Sequence, residues 1–241
     1  MNNKEWQLRT ELLLGEKNVE KLTNTHVLVA GLGGVGGYAV EQLARAGIGR
    51  LTIIDHDKIN ITNINRQIIA LHTNIGYDKT SEMQKRLLEI NPEIEISIIN
   101  EFITEENVFD FLRNKIDYII DAIDTLTPKV TLISSALKNN IPIISSMGAG
   151  GKFDPEKVTI ADISKSHNCH LARMIRKRLH RLGIYTGFKV VYSPEKVDKD
   201  KIIATNGLRN QKSVAGTISY MPAVFGCFCA SVVIRDLIEL S

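Results

Sequence analysis

The run HVLVAGLGGVGGYAV, residues 26–40, leaves few folds open to this chain. A short apolar stretch without alternation reads as a strand buried on both faces. Five glycines then fall within the seven positions 31–37, and a periodic stretch runs on to Gly47, which stands where a helix C-cap belongs. Strand, glycine turn and helix in that order make the first βα unit of a parallel sheet. Gly31, Gly33 and Gly36 fit the spacing GxGxxG. Glycines there let the backbone approach a phosphate, and the helix that follows offers unpaired N–H groups and a partial positive charge.

The alternation continues. RLTIID (50–55), EIEISIIN (93–100), IDYIIDA (116–122) and IPIISS (141–146) read as further strands. Between them lie helical patterns over 77–92, over 104–114 and from Leu126 onward. Thr104 and Asn107 form an imperfect capping box for the second of these, since Glu or Gln is the better partner. The expected fold class is α/β, a doubly wound, mostly parallel Rossmann-like sheet with helices on both faces. After about residue 146 the regular pattern breaks. MGAGGKFDP reads as a flexible loop, KVTIADI and GFKVVYS as strands, HLARMIRKRLHRLGI as a helix, and residues 196–212 as a mobile polar loop. We therefore expect a single domain over 1–241. Its nucleotide-binding half spans 1–150 and a substrate-binding, dimer-associated extension spans 151–241, adding strands and helices to the sheet.

Composition narrows the function classes. The formal net charge of +3 is small, so a polyanionic partner has to be argued from local clustering. The three cysteines, Cys169, Cys227 and Cys229, form no CxxC pair. That argues against a disulfide framework or a four-cysteine zinc site and suits a reducing, cytoplasmic setting. The polar N-terminus MNNKEWQLRT lacks the apolar core of a signal peptide. YMPAVFGCFCASVVI (220–234) is short for a membrane span and contains Pro222 and Gly226, so it reads as a buried element.

A glycine loop does not choose its nucleotide. Asp55, at the end of the second strand, is placed to accept from two ribose hydroxyls, and NAD, FAD and ATP all carry such a ribose. The segment after it discriminates. Asn63, Asn65, Arg66 and Gln67 stand together, and Lys79 follows a dozen residues later. Cations of this kind neutralise a polyphosphate and stabilise charge that develops on it, for which hydride transfer has less use. DAIDT then ends the fourth strand with Asp121 and Asp124. A carboxylate in that crevice suits Mg²⁺ bound to phosphates; Asp124 is the metal candidate, and Asp121, nearer the strand core, orients the loop.

GLGGVG, IDHDKINITNINRQ, the lysine of GYDKTSEM, and DAIDT, in this order, resemble the adenylating enzymes of the ubiquitin-activating superfamily, which includes the bacterial ThiF, MoeB and HesA proteins. The resemblance spans roughly residues 5–150. It implies ATP and Mg²⁺, adenylation of a carboxylate and release of pyrophosphate. It makes Gly31, Gly33, Gly34, Asp55, Asp57 and Gln67 the nucleotide ligands. Asn63, Arg66 and Lys79 would contact or activate the triphosphate, and Asp124 would serve the metal. LRTELLLG matches too, and implies a homodimer in which Arg9 reaches the partner's ATP.

The second half points to a substrate. Leu171, Ile175, Leu179 and Leu182 recur at helical spacing as one apolar stripe, and Arg173, Arg176, Lys177, His180 and Arg181 fall on other faces. Such a basic face is often simply solvated; its functional reading is nucleic-acid phosphate, carried here by Arg173, Arg176, Lys177 and Arg181. SSMGAGGKFDPEKVTIADISK and the stretch through FKVVYSPE are similar to the tRNA threonylcarbamoyladenosine dehydratases. That resemblance covers about nine-tenths of the chain. It implies ATP-dependent cyclisation of the modified adenosine t6A at position 37 of tRNA, by adenylation of its threonyl carboxylate and attack of the neighbouring carbamoyl group. A tethered attacking group needs no enzyme nucleophile, in keeping with the sparse cysteines. Three alternatives stay open: activation of a ubiquitin-like or sulfur-carrier protein with Cys169 as acceptor, a non-catalytic nucleotide-binding scaffold partnering a sulfur-transfer protein, and NAD-dependent oxidoreduction.

Overall fold

The computed structural model describes residues 5–198, 200, 202–204 and 213–239. Seven strands form one sheet in the order β3-β2-β1-β4-β5-β7-β6. They are β1 (His26–Ala30), β2 (Arg50–Ile54), β3 (Glu95–Ile99), β4 (Tyr118–Asp121), β5 (Ile143–Ser146), β6 (Thr159–Asp162) and β7 (Lys189–Tyr192). All neighbours are parallel except β6, which runs antiparallel to β7 at the edge. The apolar runs fit their places: every residue of β1 and β4 is buried, whereas β3, at the other edge, is largely exposed. The order reverses between β1 and β4, which puts a crevice at the carboxyl ends of these two strands.

Helices cover both faces. On one face α3 (Gly36–Ala46), α4 (Lys79–Ile90) and α8 (Tyr220–Leu237) enclose a core that includes Val27, Leu43, Leu87 and Phe225. On the other, α5 (Val108–Phe111), α6 (Leu126–Lys138) and α7 (His170–His180) pack over Leu28, Ile119, Leu132 and Ile175. The stretch read as a buried element is α8. It is long and apolar enough to cross a membrane, but Met221, Phe225, Cys229 and Val233 face the core, and Gly226 lets it approach the α3 backbone at Val35.

Several expectations are revised. Residues 1–25, which read from the sequence as helical with a polar surface, hold two helices, α1 (Leu8–Leu14) and α2 (Glu16–Thr23), broken at Gly15, whose φ is +81°. The capping box forms, with the Thr104 N–H donating to Asn107 Oδ1 at 2.8 Å, but the helix expected over 104–114 is only Val108–Phe111. The apolar face of α7 is Ala172, Ile175 and Leu179, with Leu171 partly buried against the same core; Leu182 lies beyond the last turn and is 55% exposed. The glycine-rich loop after β5 is tied down, since the Gly151 N–H donates to Gly216 O at 2.8 Å. In the polar loop at 196–212, β8 (Ile202–Ala204) pairs antiparallel with β9 (Ser213–Ala215); residues 205–212, expected to be mobile, lie outside the described residues.

Candidate active site

The crevice is built from the turn after β1, the segment after β2, the first turn of α4 and the end of β4. Gly31 has φ +90°, and a Cβ there would lie 2.7 Å from Ala122 O at the end of β4. A Cβ on Gly36 would overlap the Gly31 carbonyl. These two glycines are required by the turn's own packing. Gly34 is closed in by Pro222 of α8, while the Cβ side of Gly33 meets nothing nearer than Gln67 Nε2, at 3.8 Å. Of the four, Gly33 presents the most open face.

Asp55 is buried and joins two pieces of the site. Its Oδ2 accepts from the Leu32 N–H of the glycine turn at 2.7 Å, and its Oδ1 accepts from the Asp57 N–H at 2.8 Å. Lys79, the first residue of α4 and 4% exposed, brings its Nζ to 2.9 Å from Asp57 Oδ2 and 3.6 Å from Asp55 Oδ2. Two carboxylates thus compensate one buried ammonium, which is how a charge survives out of water. Asp55, His56 and Asp57 lie close enough to hold a metal ion. Lys79 Nζ already lies against an oxygen of each acid, and both Asp55 oxygens accept backbone N–H groups, so the trio fits a divalent cation poorly.

Asn63 shapes the next turn. Its Oδ1 accepts from the Asn60 N–H at 3.0 Å, and its carbonyl accepts from the N–H groups of Arg66 and Gln67. Arg66 Nη1 donates to Thr62 O at 2.8 Å and to Asn65 Oδ1 at 2.9 Å. Burial lowers its pKa, opposed by nearby Asp124. Gln67 is buried, and its Oε1 has no hydrogen-bond partner among the described residues. A buried acceptor left unpaired beside an open glycine is a group suited to binding a ligand.

Asp124 is exposed at the mouth of the crevice. Asp121 is fully buried and committed elsewhere. It accepts from Lys129 Nζ at 2.8 Å, from Ser145 Oγ at 2.6 Å and from the Ile123 N–H at 3.1 Å. Burial pushes its carboxyl up and these donors pull it back. Lys129, also fully buried, further donates to Ile123 O at 2.9 Å, knotting the turn that leads into Asp124. Sequence reading missed Lys129. A cation in the first turn of an otherwise apolar helix opposes the helix dipole, and that anomaly was the available signal.

The structure therefore brings together Gly31, Gly33, Gly34, Asp55, Asp57, Asn63, Arg66, Gln67, Lys79 and Asp124. It joins Arg9 to none of them: Arg9 is exposed on α1 and forms no ion pair among the described residues. On α7, Arg173, Lys177 and Arg181 are exposed without a carboxylate partner among the described residues. Arg176 is turned inward, with Nη1 donating to Ser166 O at 2.7 Å and to Ser166 Oγ, so it clamps a loop. Cys169 is buried at the start of α7.

This arrangement offers a glycine turn backed by an acid, cations aimed at the same crevice and an acid at its mouth. The ThiF family pattern matches residues 6–240. The chain belongs to the ThiF family. It is 40% identical over 238 residues to the tRNA threonylcarbamoyladenosine dehydratase of Bacillus subtilis, covering 96% of this chain and 94% of that one. The fold superposes on the Escherichia coli tRNA N6-threonylcarbamoyladenosine dehydratase TcdA, solved in complex with ATP. The TM-score is 0.90 at 34% identity, over 98% of this chain and 95% of that one. Likeness to the sulfur carrier protein ThiS adenylyltransferase of Escherichia coli is 32% over 136 residues, only 56% of this chain. Within the ThiF family, this chain therefore belongs with the tRNA threonylcarbamoyladenosine dehydratases.

Proposed function

We propose that this ThiF-family chain is an ATP-dependent tRNA-modifying enzyme that converts t6A at position 37 of tRNA to its cyclic form. The observation that carries the reading is the crevice itself, set in a chain that matches t6A dehydratases almost end to end. ATP sits on the glycine turn with its ribose on Asp55 and with Gln67 beside it. The threonyl carboxylate attacks the α-phosphorus, and pyrophosphate leaves. Arg66 and Lys79 hold the charge that develops on the phosphates, and Asn63 fixes the turn that carries Arg66. Lys79 is held by Asp55 and Asp57, so binding a triphosphate trades those partners for phosphate oxygens. The acyl adenylate makes the carboxyl carbon electrophilic with AMP as a good leaving group, and the tethered carbamoyl group displaces it.

Mg²⁺ fits this donor set through Asp124, because the ion commonly takes one or two carboxylates plus substrate phosphates; when bound it supplies charge neutralisation at the phosphates. Asp121 is held by Lys129 and is not available to it. A homodimer completes the proposal. Leu8, Leu12 and Leu13 of α1 are 56%, 78% and 82% exposed, an apolar face that a second copy would cover, bringing Arg9 to the neighbour's ATP.

ATP–pyrophosphate exchange tests the reading. It is expected only with tRNA carrying t6A, with cyclic t6A appearing by nucleoside mass spectrometry. Exchange with a carrier protein and none with tRNA would replace this proposal by the protein-activating one. Cys169→Ala separates the two again: buried Cys169 leaves tRNA turnover near full, whereas a thioester route would collapse.

A further inference from the structure

The loop after β5 carries a ring that the nucleotide site does not use. Phe153 is 65% exposed, yet its backbone is held on both sides. Its N–H donates to Glu195 Oε1 at 2.9 Å, and the next N–H, of Asp154, donates to Glu195 Oε2 at 2.9 Å. Its carbonyl accepts from Tyr220 Oη at 2.8 Å. The two rings meet edge to face, with centroids 6.1 Å apart and planes at 67°. The result is a fixed corner with an aromatic face in water, and little ordering remains for a ligand that stacks on it.

The surroundings show what kind of ligand fits. Two residues before Phe153, the Gly151 N–H bonds Gly216 O; Thr217 O then accepts from Asn65 Nδ2 of the site cluster at 3.0 Å. Two residues after Tyr220, Pro222 closes on Gly34. On the other side Gly148 abuts Leu171, in the first turn of the basic helix α7. The corner therefore belongs to a wall that runs between the nucleotide turn and the unpaired cations. Its immediate neighbours are charged: Glu195, Asp154 and the Lys157 paired with it at 2.9 Å. One aromatic corner among charges suits a single flat ring better than an apolar protein surface, which would need a contiguous patch.

We propose that Phe153 and Tyr220 form a stacking platform for an unpaired nucleobase of the tRNA anticodon loop, while Arg173, Lys177 and Arg181 take its backbone. The proposal rests on the tRNA reading above. Aromatic side chains bind unstacked bases through their π-faces, and a base docked here would hold the loop against the crevice.

The test uses the full-length chain and anticodon stem-loop RNA carrying t6A, with affinity read at fixed salt and ATP affinity and oligomeric mass read alongside. Phe153→Ala is expected to weaken RNA binding about 5- to 150-fold, leaving ATP affinity and mass unchanged. Phe153→Trp should bind like the native chain and Phe153→Leu nearly as poorly as the alanine variant. Single abasic nucleotides walked through the loop should include one position at which Phe153→Ala costs nothing further. Leucine binding like phenylalanine, no such abasic position, or a change of oligomeric mass would each overturn the platform alone. A native chain that neither binds nor converts the RNA would remove the tRNA reading with it.

Discussion

Lys79 and Lys177 are both helical lysines, yet the molecule uses them oppositely. Lys79 is 4% exposed and lies against two carboxylates. Lys177 stands in solvent with no carboxylate partner among the described residues. The contrast extends to their surroundings. In the floor of the crevice, charges are buried and paired, as with Lys129 and Asp121. Along α7, Arg173, Lys177 and Arg181 are exposed and unpaired. Buried, compensated charge gives exact placement for a small ligand at a desolvation cost. Exposed, uncompensated charge gives a field suited to a long polyanion.

Lys129→Met should break the first pattern most severely. It leaves Asp121 buried and unpaired, and urea unfolding is expected to show a loss of about 3–5 kcal/mol. Adding Asp121→Asn should recover much of it; an unchanged midpoint in the single variant would mean that the pair holds nothing. Arg66→Ala comes next. It should reduce tRNA-dependent pyrophosphate exchange about 10²–10³-fold with the fold intact, whereas normal exchange would remove Arg66 from the site.

The second pattern is sharpened by salt. Arg173→Gln combined with Lys177→Gln should lower the slope of log affinity for tRNA against log salt by about 1.4–1.8, since each lost phosphate contact counts for about 0.7–0.9. ATP affinity should stay constant. Arg176→Gln is expected to do the reverse, lowering Tm through the loop at Ser166 while the salt slope stays put.

The smallest effect concerns His26 at the start of β1. Its Nδ1 lies 2.9 Å from Lys115 O and its Nε2 lies 2.9 Å from Thr52 Oγ1. The first contact needs an N–H and the second is satisfied by the hydroxyl as donor, which together describe a neutral ring. Burial lowers its pKa, partly offset by the Lys115 carbonyl. The unfolded chain therefore binds this proton more readily than the folded one. The contribution of His26 is complete above its unfolded value, about 6.5, and is lost as pH falls below it. Melting curves between pH 8 and 5 should show Tm falling at the acid end, and His26→Gln should flatten that fall.

Much of this was legible in the chain. Local spacing marked the glycine turn, the five strands of the first half and the residues that converge on the crevice, because a strand's end and the turn after it are set by neighbours in sequence. The basic face of α7 was legible as well, but Arg176 was not separable from Arg173 and Lys177. Helical periodicity gives each residue a direction, while the Ser166 carbonyl that captures Arg176 comes from the preceding loop. The truncated α5 shows the same limit: the bond between Thr104 and Asn107 forms as read, but it closes a turn ahead of the helix, which runs only from Val108 to Phe111.

By itself the sequence determined the α/β class, the glycine turn and the identity of the groups around it. Only the tertiary structure decided that β7 inserts between β5 and β6, that Lys129 knots the end of β4, and that Glu195 fixes the backbone of Phe153 across 42 residues of chain. Periodicity and turn chemistry act over a few residues. Pairing a buried charge, or satisfying a buried N–H, is settled by whichever group the finished fold brings within about 3 Å.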